Sequence, residues 1–163
     1  MVKTKLENPH HWKTYYDHNY IGGFSLKDMD AVVTITKWAE EIVENKAKST
    51  KSNKFILYVK DQNGEEKMIV NKTNGKAIEK ALETPNPDDW IGKQIQLYTE
   101  RVRAFGDEHD ALRVRSTKPE LITAITKLKT VEELKDFYTK NKHLGGEFNT
   151  LVTNHKKKLE NAT

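Results

Sequence analysis

The chain contains no cysteine. That absence excludes disulfides, thiolate chemistry and cysteine-ligated zinc, and it fits a reducing compartment. No apolar run approaches the roughly 18 residues that a membrane span needs. The first residues, Met1-Val2-Lys3-Thr4-Lys5, lead into polar sequence rather than an apolar signal-peptide core. No Gly-x-Ser-x-Gly, phosphate loop or His-Glu-x-x-His is present. A soluble intracellular protein with no cofactor and no membrane partner is the expectation.

What is present is charge. Charged residues make up 32% of the 163 residues, against 36% hydrophobic. The apolar share is low but above the range of disordered chains. Lys and Arg number 28 against 24 Asp and Glu, a net charge of +4. A mildly basic balance favours a polyanionic partner, and clustering carries more information than the sum.

Residues 1–20 read as an irregular arm rich in aromatics and histidines, perched before a glycine bend at Ile21-Gly22-Gly23-Phe24-Ser25-Leu26. Ala31 to Val43 reads as a long strand with β-branched residues on both faces at its start. Ala39 to Glu44 also admits a helical reading. Asn45 to Asn53 is a Lys/Ser/Thr/Asn stretch and is expected to be a flexible loop. Phe55-Ile56-Leu57-Tyr58-Val59 and Lys67-Met68-Ile69-Val70 are the next strands, joined by a hairpin turn at Asp61-Gln62-Asn63-Gly64. Asn71 or Thr73 can cap a helix running to Leu82, with Ala77, Ile78, Ala81 and Leu82 at helical spacing. A fourth strand runs from Ile95 to Thr99, and Arg101 to Phe105 either continues it across a kink or forms its outer half. Gly106-Asp107-Glu108 is the expected turn into a last strand, Ala111 to Arg115. From Pro119 onward the apolar period is 3.6, and Thr130-Val131-Glu132-Glu133 is a capping box.

Strand-strand-strand-helix-strand-strand is the chain order of the five-stranded OB barrel. The expected fold is therefore mainly β with α: an OB-like barrel over 21–118 with a helix between strands three and four. An N-terminal arm (1–20) precedes it, and a helical appendage (119–163) follows. Such barrels hold single-stranded nucleic acid with a basic groove and stacked aromatics.

The candidate ligand residues follow from strand periodicity. Arg101 and Arg103 share one face of their strand, and Arg113 and Arg115 share one face of theirs. If the strands pair, four guanidinium groups lie on one side of a ribbon, where they bind phosphate and stack on bases. Phe105 sits near the hairpin tip, placed to stack a base. The alternative is a solvated face whose arginines pair with Glu100, Glu108 or Asp110. Lys46, Lys48, Lys51 and Lys54 form a second basic patch in the loop between the first two strands, one of the loops OB barrels fold over their ligand. Trp38 and Tyr58 are divided between stacking and core roles, and Trp90 is assigned to the core. Lys72 and Asn74 at a helix start admit an anion reading, although an Asn there more often caps. His10, His11, Asp17 and His18 are metal-ligand types at a spacing that matches no strong motif.

Several segments carry a family resemblance: Ile21-Gly22-Gly23-Phe24-Ser25-Leu26, Val70-Asn71-Lys72-Thr73-Asn74, Asp88-Asp89-Trp90-Ile91-Gly92-Lys93, and Val102-Arg103-Ala104-Phe105-Gly106 followed by Leu112-Arg113-Val114-Arg115. Over residues 20–118 the chain resembles small phage and prophage proteins placed near replication or recombination genes. Leu121 to Leu159 is similar to the short helical tail of phage recombination proteins. The resemblance implies a non-catalytic OB-type single-strand binder, DNA preferred, in the cytoplasm of a bacterial host. A phage or host replication or recombination protein and a second copy of the chain are the candidate protein partners. The stretch from His155 to Thr163 is basic, whereas many bacterial single-strand binders carry an acidic recruiting tip there. Recruitment of that type is not expected. A competing expectation is a protein-interaction module, either an inhibitor of a host enzyme or a virion-associated factor. A nuclease would need clustered carboxylates for metal ions, which the sequence does not group.

Overall fold

A computed structural model describes residues 19–26 and 29–162. The strands are β1 (Ala31–Asn45), β2 (Thr50–Asp61), β3 (Gly64–Ile69), β4 (Gln94–Ala104) and β5 (Asp107–Val114). Helix α1 (Lys72–Leu82) joins β3 to β4, and α2 (Pro119–Lys127), α3 (Val131–Asn141) and α4 (Gly146–Asn161) follow β5. All strand pairs are antiparallel, in the order β3-β2-β1-β4-β5.

The five-stranded sheet is open, because β3 and β5 are its two edges and do not pair. This corrects the expectation of a closed barrel. The segment Ile21–Ser25 touches both edges instead. The Ile21 N–H donates to Lys67 O on β3 at 2.8 Å. Gly23 lies so close to β5 that an added Cβ would meet Asp110 O at 2.1 Å, so no side chain fits there. Thr99 Oγ1 on β4 donates to Gly23 O at 2.7 Å.

Local chemistry explains most element boundaries. Asn71 caps α1 by accepting from the Asn74 N–H at 2.9 Å. Asp61 Oδ1 accepts from the N–H groups of Asn63 and Gly64 and closes the β2–β3 turn. Thr130 and Glu133 form the expected capping box at the start of α3. Pro119 opens α2, and Gly145-Gly146, both at positive φ, separate α3 from α4.

The apolar residues form two clusters. One lies within the sheet and contains Val33, Ile35, Leu57, Val59, Met68, Ile95 and Leu97, capped by Ile78 of α1 and by Trp90. Each fully buried aliphatic side chain contributes about 1.5–3 kcal/mol. Trp90 is 4% exposed and donates its Nε1–H to Thr84 O at 2.8 Å, the core role assigned to it. The second cluster joins Ile125, Leu134, Phe148 and Val152 of the three C-terminal helices.

One feature of β1 escaped the period-two reading. The β1–β2 register slips between Ile35 and Lys37. This bulge changes which parity faces the core: Val33 and Ile35 point inward before it, and Trp38, opposite Leu57, shares the inward side after it. Trp38 reaches the core side for that reason, although it has the opposite parity to Val33 and Ile35. Residues Ala39–Glu44 are strand, not helix.

Candidate nucleic-acid interface

Two hairpin arms project beyond the shared sheet. β1 and β4 pair only from Ala31↔Leu97 to Thr34↔Gln94. β1 then continues to Asn45 with β2 as partner, while β4 continues the opposite way to Ala104 with β5 as partner. The two tips therefore leave their common ladder in opposite strand directions.

The β1–β2 arm is more ordered than the sequence suggested. Strand pairing persists to Asn45↔Thr50, and the turn is only Lys46–Ser49. Asn45 Oδ1 tightens it by accepting from the N–H groups of Ala47 and Lys48. Lys46 and Lys48 lie on the tip, whereas Lys51 and Lys54 lie on β2, opposite Glu44 and Glu41. All four lysines are exposed and form no ion pair among the described residues. Trp38 sits at the base of this arm, 36% exposed. Its Nε1–H donates to Asp88 Oδ1 at 2.8 Å, and its ring packs 5.9 Å from Phe55.

The arginines do not share a face. The β4–β5 turn is two residues long, Phe105-Gly106, because Ala104 pairs with Asp107. Both turn residues have positive φ (54° and 89°), as a type I′ turn requires. The expected three-residue turn would have aligned all four guanidinium groups. A two-residue turn puts Arg113 opposite Tyr98, and so on the face of Tyr98, Glu100 and Val102. Arg101 and Arg103 point to the other face, opposite Asp110 and Glu108. The arginine ribbon expected from the sequence is absent.

Three of the four arginines are engaged by acids. Arg101 Nε lies 3.1 Å from Glu108, and Arg113 Nε donates to Glu100 at 2.7 Å. Arg115 donates from Nε to Asp30 at 2.8 Å and from Nη1 to Glu147 of α4 at 3.3 Å, and it stacks 3.7 Å over the Tyr98 ring. Burial works against the Arg115 charge, but Asp30 and then Glu147 outweigh it and raise the pKa further. Arg115 is thus a clamp between sheet and helices. Arg103 is exposed and has no partner among the described residues. Beside it, Phe105 is wholly in solvent, at 104% relative exposure.

Tyr58 belongs to neither arm's tip. It lies on the sheet face away from the core, with Lys37 Nζ 4.1 Å and Lys67 Nζ 5.1 Å from its ring centre. Its hydroxyl donates to Glu41 Oε1 at 2.6 Å, and Tyr20 and Lys67 donate to the same carboxylate. The Tyr58 hydroxyl and the Lys67 ammonium hold Glu41 down to about 2, against a smaller opposing effect of burial. The same bond raises Lys67. No sequence motif marks this four-residue network, since Tyr58, Tyr20 and Lys67 lie 17, 21 and 26 positions from Glu41 in the chain.

At the start of α1 the cap is Asn71 and not Asn74. Asn74 is buried, and its Nδ2–H donates to Leu112 O on β5, pinning α1 to the sheet. His10, His11, Asp17 and His18 lie outside the described residues. Among the described residues, no cluster of His, Asp and Glu is arranged to hold a metal ion. No helix among them is long and apolar enough to cross a membrane.

No family model, curated protein or solved structure matches the chain.

Proposed function

We propose that the protein is a non-catalytic single-stranded DNA-binding protein of phage-type replication or recombination, built on an OB-type sheet left open between β3 and β5. The chain order of the elements and the order β3-β2-β1-β4-β5 support the OB relation, since opening an OB barrel at that seam leaves this arrangement. In this reading the ligand contacts are on the arms. Lys46, Lys48, Lys51, Lys54 and Arg103 neutralise phosphates, and Phe105 stacks on a base, while Arg113 and Arg115 serve the fold.

The observation that carries the reading is Phe105. Folding gives no reason to hold a phenyl ring fully in water at positive φ. A hairpin tip that offers a ring beside an unpaired guanidinium is suited to an unpaired base and its phosphate.

Fluorescence anisotropy with labelled oligonucleotides tests it. Five phosphate contacts give a log–log salt slope of about −3.5 on single strands. Reversing Lys46 and Lys48 to Glu should flatten that slope by about 1.4. Absence of single-strand binding at low salt rejects the proposal.

A second reading is a protein-interaction module, such as an inhibitor of a host enzyme or a virion-associated factor. Exposed apolar groups favour it: Met29 is 74% and Ile42 70% exposed, in addition to Phe105. Capture of a host protein that Ile42→Lys abolishes, with no oligonucleotide affinity, would select this reading.

A further inference from the structure

Helices α3 and α4 pack through Leu134, Phe148 and Val152, and a groove of about 250 Å3 lies between them. Val131, Leu134 and Tyr138 recur along it at helical spacing on α3, as do Asn149, Val152 and Lys156 on α4. Each helix therefore lends one face to the groove. Leu134 and Val152 are buried, and Tyr138 stacks on Phe148 at 6.3 Å yet stays 37% exposed.

The charged residues that line the groove are both lysines, Lys135 on α3 and Lys156 on α4. Lys135 forms no ion pair among the described residues. Lys156 has a loose contact of 3.6 Å with Glu160 of its own helix, both side chains being about half exposed. Such a pair contributes little. The nearby acids of α3, Glu132 and Asp136, do not line the groove. An apolar floor between two ammonium groups complements an apolar side chain flanked by carboxylates. A second copy of the chain, docked about a two-fold axis, would instead set lysines against lysines, which works against self-association here.

Asn149 supplies a second sign. It lines the groove, and its Oδ1 is buried with no hydrogen-bond donor among the described residues. Buried amide oxygens normally have a donor. Rotation about the terminal side-chain bond turns such an oxygen, and an incoming N–H can then satisfy it. Phosphates bring only acceptors, whereas a peptide brings N–H donors, apolar side chains and carboxylates together. The volume also suits side chains, since pockets that enclose a drug-sized ligand measure about 300–1,000 Å3. We propose that the α3–α4 groove docks a short acidic segment of a partner protein, with an aliphatic or aromatic side chain in the groove and carboxylates on Lys135 and Lys156. Such docking needs no strand binding by the arms.

The test is an amide NMR titration of the full chain with short synthetic peptides at constant ionic strength. One pool combines Asp and Glu with Leu and Phe, a second replaces the acids by Ser, and a third replaces Leu and Phe by Ser. A single-stranded oligonucleotide is the fourth probe. Saturable shifts at Leu134–Tyr138 and Asn149–Lys156 are expected with the first pool, and binding about tenfold weaker or less with the other two. Joint Lys135→Glu and Lys156→Glu reversal, at two exposed positions, should leave the fold intact and weaken the first pool about tenfold or more. Asn149→Leu should weaken it about fivefold while the melting temperature stays or rises, because the change removes a buried amide oxygen that has no donor. Equal binding of the second pool, or undiminished binding by either folded variant, overturns the proposal. So do shifts at these amides that only the oligonucleotide produces, or that a rise in the concentration of the protein alone produces, and so does the absence of saturable shifts with the first pool. Strand binding by the arms is read at other amides, so its failure leaves this test intact.

Discussion

Replacing Arg115 by Ala separates a structural arginine from a ligand-binding one. Arg115 donates to Asp30 at 2.8 and 3.2 Å and to Glu147 at 3.3 Å, and covers the Tyr98 ring. Hydrogen bonds to charged groups contribute about 1.5–3 kcal/mol each at most, and breaking a buried pair costs about 3–5 kcal/mol. The three side chains here are 18–31% exposed, so water recovers part of that loss. The expected destabilisation is about 2–3 kcal/mol. For a chain of this size that corresponds to a fall in Tm of roughly 5–10 °C. Thermal melts followed by circular dichroism, with urea unfolding as a check, measure it. Oligonucleotide affinity below the transition should stay within about twofold, since a side chain outside the contact surface changes affinity little. A variant that melts with the parent and loses tenfold or more in affinity would refute this assignment.

Two further predictions concern the sheet. The folded Glu41 carboxylate titrates near 2, below its ordinary value of 4.5. Its contribution to stability is therefore complete above about pH 4.5 and lost as pH falls toward 2. Glu41→Gln should show a smaller drop in urea midpoint between pH 5 and pH 2.5 than the parent; an identical drop would contradict the network built on that carboxylate. Phe105→Gly should leave stability unchanged or raise it by up to about 1 kcal/mol, because glycine adopts the positive φ freely. The same change should weaken single-strand binding by about 5- to 150-fold, equivalent to one stacked base. Reduced stability with unaltered affinity would show that the ring serves folding.

Much of the fold was legible because local chemistry set it. Asp61 and Gly64 announce a turn, Asn71 a helix start, and Thr130 with Glu133 a capping box, and each acts as its residue type suggests. The features that were not legible depend on counting residues across a turn or along a ladder. Taking Gly106-Asp107-Glu108 as the turn, instead of Phe105-Gly106, reverses the relative facing of the two arginine pairs. The bulge after Ile35 has no composition signal, so inward parity in β1 could not be followed past Thr36. The open edge was equally hidden. A glycine at position 23, close against β5, is the physical mark of a segment lying where β3 would otherwise approach. The acids that bind Arg113 and Arg101, Glu100 and Glu108, are legible from chain proximity, and both pairs form.

The most direct test of the arms as the ligand surface is an amide NMR titration with a short single-stranded oligonucleotide at low salt. The largest shifts are expected at Asn45–Lys54 and at Arg103–Asp107, with Arg113 and Arg115 little changed. Shifts centred on Arg113 and Arg115, with both hairpin tips unmoved, would contradict it.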